Sequence, residues 1–141
     1  MKRRAFSWVL VALVATIASA VHAAPNEPEL PPIQRRIPEH PVSLLNGCSA
    51  QDRAVIERQI EAAIQLGAPI YNQGDFRGCY ETYERAARAI EAALSPTCSG
   101  PAQALRDGRN TASARPNDAA KAWAMRDTFD GLLIVLDRVR R

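Results

Sequence analysis

The sequence predicts an all-α fold, an up-and-down bundle of about four helices built on a two-helix hairpin. Three observations predict it. Phe76, Tyr80, Tyr83, Ala87, Ile90 and Leu94 recur at helical spacing and form one continuous apolar seam. A second, wider face, with Ala122, Met125, Phe129, Leu132, Leu133, Leu136 and Val139, runs to the C-terminus. Ser49, Asp75 and Asn117 each stand where an N-cap belongs, and Gly74 stands where a helix should stop.

The bundle is expected to begin only after two other segments. Lys2, Arg3 and Arg4 precede an uncharged run from Ala5 to Val21, which ends in Val21-His22-Ala23. This is the pattern of a signal peptide over residues 1–23, with small residues at the cleavage site. The run is short for a membrane anchor, and prolines rather than a lipidation cysteine follow it. Periplasmic or secreted localisation is therefore expected, with no membrane span after cleavage. Of 18 Lys+Arg and 15 Asp+Glu, three basic residues and no acid belong to the signal. The mature chain is thus neutral, and its charge gives no argument for a nucleic-acid partner.

Residues 24–46 contain Pro25, Pro28, Pro31, Pro32, Pro38 and Pro41. Each proline lacks an amide donor and holds its predecessor extended, so this lead is expected to be extended or disordered. The helical domain then spans residues 47–141. Ser49, with Asp52 three residues on, caps a first helix from about Ala50. Ile56, Ile60, Ala63, Gly67 and Ile70 share its inner face. Pro69 should kink this helix without ending it before Gln73. Asp75 caps the second helix, and Ser95-Pro96 ends it. Pro101 starts a shorter third helix from Ala102 to about Arg106, extending to Ala112 only if Gly108 is tolerated, with Arg109 to Arg115 read as loop. Asn117 caps the last helix. Its Asp127 is read as pointing away from Asp130 and Asp137, with Arg126 or Arg138 as ionic partners. Trp123 and Ile134 lie off the apolar stripe, where the lead or a partner could meet them.

Three cysteines in an exported chain should include one pair. Cys48 precedes the first helix and Cys98 follows the second, so an antiparallel hairpin brings them together. Cys79 sits at the turn end, roughly 28 Å of helix away, whereas a disulfide spans at most about 7 Å between Cα atoms. The expected bond is Cys48–Cys98, closing a loop worth roughly 4 kcal/mol, with Cys79 a free, buried thiol. A reactive Cys79, activated by its helix N-terminus, is the functional alternative to a small apolar filler.

Leu66, Gly67, Gly74, Phe76, Cys79, Tyr83 and Ala86 fall in the order and spacing of a tetratricopeptide repeat. The segment from Leu66 to Leu94 resembles one such helical hairpin, about 30 residues long. The resemblance implies close approach of the two helices at small residues, with an aromatic plugging the groove between them. Pro69 within the first helix and the lack of a second copy depart from the family pattern, so no peptide-binding solenoid is implied. The last helix is expected to cover the seam instead, with Phe129 and Leu133 in the role of a next repeat. The blocks GAPIYNQGDFRGCYETYERA and AWAMRDTFDGLL behind a signal peptide also resemble small secreted bacterial proteins, which implies no activity.

Catalytic machinery is hard to assemble from this chain. His40 is the one histidine after the signal, and it lies in the lead. No C-x-x-C pair, zinc-ligand spacing, phosphate-binding glycine loop or calcium loop is found. The expectation is a non-enzymatic interaction or structural module with no cofactor, no metal and no catalytic residues, and an envelope or extracellular protein as partner. Its candidate surface is Tyr71, Tyr80 and Trp123. The alternative is small-ligand or cofactor binding in a pocket near Tyr83, Met125 and Phe129, although such side chains more often serve as core. A thiol-dependent enzyme using Cys79 is the third reading.

Overall fold

Ser49 and Asp52 form a reciprocal capping box that starts the first helix. The Asp52 amide donates to Ser49 Oγ at 3.0 Å, and the Ser49 amide donates to Asp52 Oδ2 at 2.8 Å. In this computed structural model, which describes residues 32–141, that helix, α1, runs Ala50–Asn72, and α2 follows at Phe76–Ala93. Helices α3, Ser99–Ser113, and α4, Asp118–Arg140, complete an all-helical bundle with no strand among the described residues. The proposed signal peptide and the lead up to Pro31 lie outside the described residues.

Helix α1 continues through Pro69, as the sequence suggests. It stops at Gly74, whose φ of +86° suits a residue without a β-carbon. Asp75 then caps α2, accepting from the Gly78 amide at 2.8 Å. The seam of α2 is buried at Tyr83, Ala87 and Ile90. Helix α4 lies across it, with Phe129 fully buried and stacked edge-on against Tyr83 at 5.5 Å. Leu133 packs at the margin of the same core. A fully buried side chain of this size stabilises the fold by roughly 1.5–3 kcal/mol.

The third helix is longer than its sequence suggests. Residues 109–113 are helical, not loop, and the helix runs through Gly108. A β-carbon there would lie 2.3 Å from Thr128 Oγ1, so glycine is required for α3 to cross α4 closely. The helix propensity lost at Gly108, about 1 kcal/mol, is offset by that packing.

Cys48 and Cys98 form a disulfide with their Cα atoms 4.3 Å apart. It joins the start of α1 to the residue before α3, and Cys79 remains free and buried. Near the disulfide in sequence, Asp52 gathers the same ends by polar bonds. Its carboxylate accepts from the Ser95 amide at 2.9 Å, from Ser95 Oγ at 2.8 Å and from Ser49 Oγ at 2.7 Å. These donors, led by the Ser95 amide, hold its pKa well below the usual carboxylate range.

The described part of the lead is extended to Pro41 and then makes a short 3-10 turn, Val42–Leu45, which the proline spacing did not suggest. It lies along α4. Arg35 Nε donates to Asp127 Oδ1 and Arg35 Nη2 to Asp130 Oδ2, while the Arg36 amide donates to Asp127 Oδ2 at 2.6 Å. This corrects the sequence reading of Asp127: it shares a cation with Asp130, and that cation lies in the lead, not in α4. Asp137 pairs with Arg141 instead. Further along, Arg138 Nη1 donates to the His40 carbonyl at 3.1 Å. A β-carbon on Gly131 would meet the Pro38 carbonyl at 2.8 Å, so the lead rests directly on the α4 backbone there.

Candidate functional site

Three helices converge at the turn end of the hairpin. The last two turns of α1 supply Ala68, Tyr71 and Asn72. The i,i+4 pair Cys79 and Tyr83 comes from α2, and Ala122, Trp123 and Arg126 come from α4. Together they line a mainly apolar cleft of about 70 Å³. One rim is an aromatic ladder. Tyr71 meets Phe76 at 4.7 Å with a tilted geometry, and meets Trp123 edge-on at 5.7 Å. The Tyr71–Trp123 contact places a ring edge against a ring face, as aromatic quadrupoles prefer. The Arg35 guanidinium of the lead lies 4.7 Å over the Trp123 ring.

The cleft unites Tyr71 and Trp123 of the candidate surface with Tyr83 of the candidate pocket and with the free thiol Cys79. Tyr80 is not among the lining residues; its ring faces Lys121 Nζ at 5.7 Å. Met125 and Phe129 are fully buried in the core and do not line the cleft either. Arg35 and Asn72 were not singled out by the sequence reading, and Arg126 entered it only as an ionic partner for the acids of its own helix, a pairing it makes with Asp130. Arg126 follows Trp123 by three residues, a helical neighbour that spacing could have found. Arg35 carries no such signal, because extended chain has no periodicity linking it to α4.

Cation pairing braces the cleft wall. Arg126 Nε donates to Asp130 Oδ1 at 2.9 Å, and Asp130 also accepts from Arg35. Burial opposes the charge on Arg35, but its bonds to Asp127 and Asp130 outweigh this and raise its pKa. Burial pushes the Cys79 thiol up, against a smaller opposing effect of Tyr83. Burial, with the adjoining Cys79, pushes the Tyr83 hydroxyl up to about 12. At neutral pH both groups therefore carry their protons, and Cys79 is 1% exposed. A protonated, shielded thiol is a poor nucleophile.

Among the described residues, no three His, Cys, Asp or Glu side chains stand close enough to hold a metal ion. No helix in the described residues is long and apolar enough to cross a membrane. Comparison with protein-family models, with curated proteins and with solved structures finds no match.

Proposed function

We propose that the chain is an exported, non-enzymatic interaction module, acting in the periplasm or outside the cell. In this reading it seats an apolar side chain of an envelope or extracellular protein in the Tyr71–Trp123 cleft. The observation that carries the reading is the cleft itself: two half-buried aromatic rings held edge to face around an apolar hollow. Aromatic anchors beside small pockets are where interface energy concentrates.

Scale argues against the ligand-binding alternative. About 70 Å³ is far below the roughly 300–1,000 Å³ of ordinary ligand pockets. The thiol alternative is weakened by the buried, protonated Cys79. A disulfide between Cys48 and Cys98 is compatible with an oxidising compartment. We further read Leu66–Leu94 as a single tetratricopeptide-like hairpin, because Gly67 meets Tyr83 where that pattern puts a small residue against an aromatic.

The test is recovery of a stoichiometric complex from the native envelope, followed by titration of the identified partner. Trp123→Ala should weaken binding by at least tenfold, while Arg58→Ala, on the solvent side of α1, should not. Equal affinity of the Trp123→Ala variant and the parent would refute the proposal.

A further inference from the structure

A second cavity, of about 150 Å³, lies on a different face of α4, between that helix, α3 and the lead. Its walls are largely apolar, but several charged and polar side chains reach into it. Arg36 and His40 enter from the lead, Asp107 and Thr111 from α3, Arg115 from the following turn, and Asp127 from α4. The floor is the close crossing of Gly108 on Thr128, which keeps α3 and α4 from closing the space with larger side chains.

The charges lining this cavity are unevenly satisfied. Asp127 is fully engaged, with Arg35 on one oxygen and the Arg36 amide on the other. Asp107 accepts from Gln103 Nε2 at 2.8 Å. By contrast, neither the Arg36 nor the Arg115 guanidinium has a carboxylate partner among the described residues. His40 Nε2 is shielded from solvent and has no hydrogen-bond partner. Buried polar atoms are nearly always paired, so this nitrogen calls for an acceptor or a donor in the cavity. Burial lowers the His40 pKa, which keeps the ring neutral, with one N–H to give.

Two unpaired guanidiniums, a shielded imidazole nitrogen and a hydroxyl around one cavity make a donor-rich site. A metal cation does not suit it, because Asp127 is committed on both oxygens, Asp107 alone offers a free carboxylate oxygen, and both arginines repel a cation. Guanidinium forks match planar or tetrahedral oxyanions. We propose that this cavity binds a small oxyanion, phosphate or a short carboxylate, held by Arg36 and Arg115 with His40 Nε2–H and the Thr111 hydroxyl as neutral donors. Such a ligand would tie the lead to α3, a connection separate from the Arg35 clamp on α4.

Calorimetric titration of the purified chain with inorganic phosphate, with succinate and with sodium chloride tests this. The imidazole nitrogen resonances of His40 should be followed in parallel. Saturable one-to-one binding of phosphate or of succinate is expected, and whichever binds identifies the ligand's source. The His40 Nε2 resonance should move with it. Arg36→Gln and Arg115→Gln should each weaken binding about tenfold, whereas Arg85→Gln, exposed on α2, should not. His40→Asn, which retains a donor, provides a second variant should either arginine change unfold the chain. It should keep measurable binding. A response that only follows ionic strength, a stationary His40 resonance, or full affinity in the arginine variants would mean a water-filled cavity and overturn the proposal.

Discussion

Gly67 and Tyr83 meet so closely that a β-carbon on Gly67 would lie 2.3 Å from Tyr83 Cε1. The contact sets how near α1 and α2 approach at the cleft end, and it supports the ring that forms the cleft's inner wall. Gly67→Ala should therefore overpack a buried site and destabilise the fold by about 1–3 kcal/mol, measured by urea unfolding. The effect should shrink in a Tyr83→Leu background, where the ring no longer fills the space. Gly74→Ala is the contrasting case. Nothing lies within 4 Å of its β-carbon position, so only its positive φ is strained, at a cost of about 1 kcal/mol.

The disulfide and the free thiol are predicted to behave independently. Replacing Cys48 and Cys98 together by serine should destabilise the protein by about 2–5 kcal/mol, as expected for a loop of this length. Cys79 should remain unreactive toward a maleimide until denaturant is added, when labelling should reach one per chain. Mass spectrometry reads both outcomes. Rapid labelling of the native protein would contradict the burial of Cys79.

Acid should destabilise the fold through Asp52. Its folded pKa is depressed below its unfolded value, so its stabilisation is complete above the ordinary carboxylate pKa. That stabilisation is lost as the pH falls below about 4 toward the folded value. The parent should thus lose stability steeply in that window. Asp52→Asn should be less stable at neutral pH and show a flatter dependence there. Thermal melts at a series of acid pH values measure the two slopes, and parallel slopes would remove Asp52 from the account.

How far the fold was legible depended on the range of each interaction. The seam of α2, the capping box at Ser49 and the Cys48–Cys98 bond follow from spacing along helices, which is local geometry. The length of α3 was hidden because Gly108 lowers helix propensity locally, while its reason for being glycine, Thr128, lies on another helix. Asp127 was misassigned because its cation is 92 residues away in chain that carries no periodic signal. The cleft was half legible. Trp123 stood out as an aromatic off the main stripe and Tyr71 as a surface candidate, and the apolar face of α4 already pointed to a core role for Met125 and Phe129, which burial bears out; only tertiary packing could show that Tyr80 stays outside the cleft.

The longest-range ion pairs among the described residues give the last prediction. Arg35 holds two acidic side chains of α4 and also covers Trp123. Asp127 is largely buried, with its side chain 7% exposed, whereas that of Arg35 is 37% exposed. The pair therefore sits between the surface and buried limits, and a double-mutant cycle on Arg35→Ala and Asp127→Ala should return a coupling of about 1 kcal/mol. The Arg141–Asp137 pair, much more exposed, should return close to zero. Arg35→Ala alone should destabilise more than its coupling, because it leaves the Asp127 carboxylate without its cation at a site shielded from water. Arg35→Lys separates charge from geometry. A single ammonium cannot fork to Asp127 and Asp130 while lying over the indole, so it should recover only part of the loss. Full recovery with lysine would show that net charge alone, and not the guanidinium fork, holds the lead against α4.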